Sequence, residues 1–134
     1  MSNGYAYGDS STAMSNGYTA GDFSTAMGGG LALGYNSTAI NSGTANGILS
    51  MAVGLNTTAN GLSQIVVGHG NIPQGDSNNP LPDDDLFIIG NGGPRFYSNV
   101  WEFMPSNAFV IKENGNMWVG GDSTLTEILG HTHH

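Results

Sequence analysis

A thirteen-residue repeat fills the first half of the chain and limits what it can fold into. Residues 1–13 read MSNGYAYGDSSTA and residues 14–26 read MSNGYTAGDFSTA, with ten of thirteen positions identical. The period then continues with drift. Serines recur at Ser11, Ser24, Ser37, Ser50 and Ser63. Two positions on stand Ala13, Ala26, Ala39 and Ala52, then Ile65; the next column is Met14, Met27, Ile40, Val53 and Val66. Two glycine columns follow, Gly17, Gly30 and Gly43, and Gly21, Gly34 and Gly47. A short fixed period of this kind is the mark of a solenoid. Thirteen residues suit one coil, with two strands of about four residues and two tight turns. Gly and Asn would fill the turns because positive φ is needed there. Five coils stacked at ~4.8 Å make a rod ~24 Å long.

Composition removes the alternatives to a β structure. The chain holds 22 Gly and 5 Pro in 134 residues, and each Gly inside a helix costs ~1 kcal/mol. Ten acidic residues face only Arg95 and Lys112, for a net charge of −8. Binding nucleic acid or an anionic membrane takes clustered cations, which this chain lacks. There is no cysteine, so disulfides, thiolate metal sites and cysteine nucleophiles are excluded. No apolar run reaches the ~18 residues of a membrane span, so no membrane insertion is expected. No basic region followed by an apolar stretch opens the chain, so no signal peptide is expected either.

The columns also bear on assembly. Successive strand side chains point to opposite faces. The Ala column and the Met/Ile/Val column are adjacent, so each strand is apolar on both sides and needs two covers. One cover is the other strand of its own coil. The simplest second cover is another copy of the same chain.

The segments GYNSTAINSGTANG (34–47) and SMAVGLNTTANGLSQIVVG (50–68) resemble the head repeats of trimeric autotransporter adhesins, the YadA-like β-roll, which also occur in phage tail fibres. The resemblance implies a parallel homotrimer of left-handed β-rolls. The expected fold is all-β: a parallel β-solenoid of 13-residue coils, then a small β-hairpin cap, as an intertwined homotrimer. The expected division is a repeat stalk over 1–71, a linker over 72–85 and a cap over 86–134.

In the linker, IPQGDSNNPLPDDD combines three prolines with an acidic run. It reads as a solvated connection. Its functional alternative is a calcium site built from Asp76, Asp83, Asp84 and Asp85. Beyond it, Leu86–Ile89 reads as a short strand ending in a turn at Gly90–Gly93. Asn114-Gly115 between Asn107–Glu113 and Asn116–Val119 signals a hairpin with a type I′ turn. The stretch LFIIGNG…NAFVIKENGNMWVG resembles the segment that follows YadA-like repeats in phage and bacterial fibre proteins. Between these strands, GPRFYSNVWEFMP (93–105) reads as an aromatic loop. Arg95, Tyr97 and Trp101 are its candidate receptor-binding residues, for a host cell-surface glycan or protein. The alternative is that Phe96, Trp101 and Phe103 fill the core of the cap.

The chain ends His131-Thr132-His133-His134. On an extended strand, His131 and His133 point to one side, ~6.6 Å apart. Three parallel copies would bring six imidazoles to one axis. Six nitrogens suit one octahedral transition-metal ion per trimer, with iron the first candidate. This H-x-H arrangement is similar to metal sites in phage fibre and spike tips. A tag remnant or a frayed end are the alternatives. His69 reads as a turn residue. Gly8-Asp9-Ser10 and Gly121-Asp122-Ser123 imitate the opening of serine esterases. The first copy recurs as Gly21-Asp22-Phe23 without its serine, and no positioned base is identifiable. No enzymatic activity is expected.

These readings point to a structural and host-recognition protein: a trimeric tail-fibre module in a phage virion, joined to other tail proteins. The missing leader favours phage over the head of a bacterial trimeric adhesin on a cell surface. An ice-binding solenoid is a third reading. Thr12, Thr25 and Thr38 would stack for it, but the column breaks at Met51 and Gln64.

Overall fold

The computed structural model describes residues 3–120, apart from the side chains of Arg95 and Tyr97. Every regular element in that range is a strand. The first half winds as a parallel β-solenoid. Each coil has a short strand and a long one. The short strands are β1 (Tyr5–Ala6), β3 (Tyr18–Thr19), β5 (Leu31–Ala32), β7 (Thr44–Ala45) and β9 (Thr58–Ala59). The long ones are β2 (Thr12–Met14), β4 (Thr25–Met27), β6 (Thr38–Ile40), β8 (Met51–Val53) and β10 (Ile65–His69). All pair in parallel with their equivalents in the next coil. The ladder repeats itself: the N–H groups of Thr12, Thr25 and Thr38 donate to the carbonyls of Ser24, Ser37 and Ser50, each at 2.9 Å.

The interior is very thin. Ala26, Ala39 and Ala52 from the long strands, and Ala32, Ala45 and Ala59 from the short ones, are fully buried. The inward side chains of these strands are methyl groups except at Thr19 and Val66, which are fully buried in the same columns. Hydroxyls hold the turns beside this core: Ser24 and Ser50 donate to the carbonyls of Gly21 and Gly47.

The register of the fifth coil differs from the expectation. Val66, not Ile65, pairs with Ala52, and Val67 pairs with Val53. The cause is one extra residue in the turn between Val53 and Thr58. Ile40 and Thr44 enclose three residues; Val53 and Thr58 enclose four, Gly54–Thr57. Val66 therefore joins the buried column. Gln64 stands where Ser50 stood, its carbonyl accepting from the Met51 N–H.

The role of the glycine columns also needs correction. Gly17, Gly30 and Gly43, and Gly21, Gly34 and Gly47, do not have positive φ. Left-handed backbone falls instead on Ser15-Asn16, Gly28-Gly29 and Asn41-Ser42, and on the single column Ser10, Phe23, Asn36, Leu49 and Ser63. Close approach is what requires the column glycines. A Cβ on Gly21 would collide with the Gly34 carbonyl, and one on Gly34 with the Gly47 carbonyl.

The second half extends the same sheet. β11 (Asp85–Asn91) pairs in parallel with β10, so the expected turn at Gly90–Gly93 is replaced by continued strand. β12 (Gly93–Tyr97) and β13 (Val100–Met104) form a separate two-stranded sheet. β14 (Asn107–Lys112) and β15 (Met117–Val119) return antiparallel, completing an eight-stranded sheet from β2 to β15. The β14–β15 hairpin forms as expected, but with another turn. Only Gly115 is left-handed there, and its N–H donates to the Lys112 carbonyl, which fits a three-residue loop rather than type I′.

One asparagine finishes the five-stranded sheet, and a second holds the segment that follows it. The Asn71 side chain accepts from the Thr58 N–H and donates to the Thr58 carbonyl. Asn107 makes the same pair of contacts with Ile72. Each amide satisfies the groups that a further strand would have paired. Gln64, fully buried, closes the end of the last coil. It accepts from the Asn60 and Gly61 N–H groups and donates to the carbonyls of Gln74 and Asp85.

Val66→Asp places an unpaired charge in this methyl-lined core and is expected to abolish cooperative unfolding by circular dichroism. Gly34→Ala is expected to cost about 2–3 kcal/mol in chemical denaturation. Gly93→Ala, where an added Cβ meets no atom within 4 Å, should change stability by less than about 0.5 kcal/mol.

Candidate interaction surfaces

The outward face of the eight-stranded sheet carries two unbroken columns. In register, one runs Met14, Met27, Ile40, Val53, Val67, Ile89, Phe109 and Val119. The other runs Thr12, Thr25, Thr38, Met51, Ile65, Phe87, Ile111 and Met117. Neither contains a charge. The alternate residues Ala26, Ala39, Ala52, Val66, Ile88 and Val110 are buried inside, so both columns face away from the core. All their members are exposed or half-buried, and the Phe87 and Phe109 rings meet edge to face at 6.3 Å. The repeat columns showed the first half of this ridge. Its extension through Ile89, Phe109 and Val119 was missed. The signal for it was the apolar alternation around Ile88 and Val110.

The second surface is the β12–β13 hairpin. The sequence reads as a loop here, but the strands pair from Gly93↔Met104 to Tyr97↔Val100. The turn residues Ser98 and Asn99 have φ of 50° and 64°, the type I′ geometry that right-twisted hairpins favour. Both residues are polar and tolerate that backbone, whereas no Gly marks the site. Trp101 pairs with Phe96, and Arg95 and Tyr97 pair with Glu102 and Val100. The three candidate residues thus lie on one hairpin, with Trp101 out of step with the other two. Phe96, Trp101 and Phe103 are exposed, Trp101 by 69%. They do not fill a core.

The hairpin root is anchored. Gly92 N–H donates to the His69 carbonyl, Ser106 N–H to Gly70, and Asn91 N–H to Ser106. The Phe103 ring lies against Gly70, leaving no room there for a Cβ. His69 is in strand β10, not in the expected turn, and its Nδ1 meets the Gly92 carbonyl.

The acidic segment is bound to the solenoid rather than hanging free. The Leu62 and Ile48 N–H groups donate to the carbonyls of Asp76 and Ser77. Asp84, buried, accepts from Gln74 Nε2 and from the N–H groups of Asp76 and Leu81. Asp85 pairs with Lys112 at 3.0 Å. Asp76 accepts from the Asn78 and Asn79 N–H groups, and these two bonds hold its carboxyl below the usual carboxylate range. Among the described residues, no three His, Asp or Glu side chains gather as a metal site. His131, His133 and the Gly121-Asp122-Ser123 motif lie outside the described residues. Ser10 of the first such motif sits in a left-handed turn position.

Comparison with family models, with curated proteins and with solved structures finds no match for this chain.

The Asp76 carboxyl favours its charged form in the fold, so the turn it caps is supported above the usual carboxylate range. That support is lost as pH falls through the lowered folded value. An NMR titration should show the Asn78 and Asn79 amides moving together with Asp76 below about pH 4, and Asp76→Ala should remove both responses.

Proposed function

We propose that this chain is a structural and host-recognition module: a trimeric tail-fibre segment of a phage, with the solenoid as stalk and the hairpin as recognition element. The observation that carries the reading is the uncharged ridge along all eight strands of one sheet. An apolar face of this length on a chain so poor in charge fits burial against copies of itself. A parallel arrangement about one axis would cover the ridge of every copy at once. The resemblance of the repeats to YadA-like β-rolls supports the number three. The rigid, methyl-filled coil suits a spacer, and the exposed aromatics on an anchored hairpin suit attachment to a host cell-surface glycan or protein.

The same features suit the head of a bacterial trimeric adhesin, which is the second reading. The terminal His131 and His133 favour the phage reading, since six imidazoles on a shared axis would hold an octahedral ion, iron first among candidates.

Native mass spectrometry tests the assembly. The wild-type chain is expected at trimer mass, with one transition-metal ion. Val53→Asp puts a charge on the ridge but outside the core, so it should yield folded monomers. A monomeric wild type would overturn the reading. His131→Ala with His133→Ala should release the metal and leave the solenoid's far-UV spectrum unchanged.

A further inference from the structure

We infer that the aromatic face of the β12–β13 hairpin is a binding site for an uncharged saccharide. The inference deepens the recognition role proposed above and rests on it. Strand alternation places Pro94, Phe96, Trp101 and Phe103 on one face. Phe103 is spent at the root, against Gly70. Phe96 and Trp101 remain towards the tip, with ring centroids 5.2 Å apart and planes inclined at 47°. They form an open corner, each residue more than half exposed. The β strands hold this corner, and backbone bonds at Asn91, Gly92 and Ser106 fix the root, so the rings are arranged before a ligand arrives.

The chemistry around the corner selects the partner. Its rim is the turn Ser98-Asn99, both exposed and both uncharged hydrogen-bonding groups. Aromatic rings take the apolar C–H face of a sugar, and hydroxyl and amide groups take its hydroxyls. Net charge disfavours an anionic ligand: Arg95 and Glu102 stand opposite each other on the hairpin, but the chain as a whole carries −8, so a sulfated or uronic-acid polymer would be repelled. A second copy of the chain has the ridge to cover instead, and the hairpin pairs with no strand of the main sheet.

The test uses the intact assembly with cellotriose, maltotriose and chitotriose as neutral probes, and a heparin oligosaccharide and trigalacturonate as anionic ones. Binding is read from tryptophan fluorescence and calorimetry. At least one neutral probe should bind and shift the emission. Trp101→Ala should weaken that binding by about tenfold or more, the loss expected of a central stacked ring, and Trp101→Phe should restore part of it. Trp118→Ala, on strand β15 of the main sheet, should leave it unchanged. Native mass and melting temperature of Trp101→Ala should match wild type. Binding to none of the neutral probes, binding to the anionic probes alone, or full binding by Trp101→Ala would overturn the inference. A changed mass for Trp101→Ala would also overturn it, by assigning the face to contact between copies. A wild-type monomer that still binds neutral sugar through Trp101 would instead sink the trimeric reading and leave the site standing.

Discussion

Everything in this molecule depends on how closely one coil's backbone lies on the next. At the Gly21, Gly34 and Gly47 turns the carbonyl of the following coil occupies the place a Cβ would take. That contact permits the parallel ladder to run with no slack from β2 to β10. The ladder in turn stacks the alanines into a thin core that Val66, Ile88 and Val110 continue. Such a core buries little apolar area per coil. The fold therefore draws on backbone hydrogen bonds and on the hydroxyls of Ser11, Ser24, Ser50 and Thr57 that close turns.

A solenoid has ends, and ends are where strands are exposed to unwanted pairing. The C-terminal end is managed by side-chain amides. Asn71 and Asn107 imitate strand backbone, and Gln64 donates from Nε2 to the carbonyls of Gln74 and Asp85 while its Oε1 accepts from Asn60 and Gly61. Aspartates then organise the proline-rich segment against the coils. The acidic run, which the sequence reads as a solvated connection, holds N–H groups and Lys112.

The two surfaces left over differ in kind. The ridge is long, uncharged and periodic, which suits a partner with the same period. The hairpin is short, aromatic and set apart from the main sheet, which suits a compact ligand. The two surfaces lie on different sheets.

The sequence alone determined the repeat, the all-strand character of the described residues and the positions of the small residues, because a solenoid writes its contacts once per coil. The thirteen-residue spacing by itself makes Ala26 and Ala39 equivalent, and it does the same for the outward column of Met27 and Ile40. Only the tertiary structure decided the fifth coil, where one extra turn residue moved Val66 into the core. Period counting could not see this, since Ile65, Val66 and Val67 are all apolar and any register reads alike. Only the tertiary structure turned the aromatic loop into a hairpin, because Ser98-Asn99 carries no glycine to announce a left-handed turn. And only it separated the two uses of glycine. Positive φ is a local property that a sequence motif can suggest, whereas the approach of one carbonyl to another coil exists only once the coils are stacked.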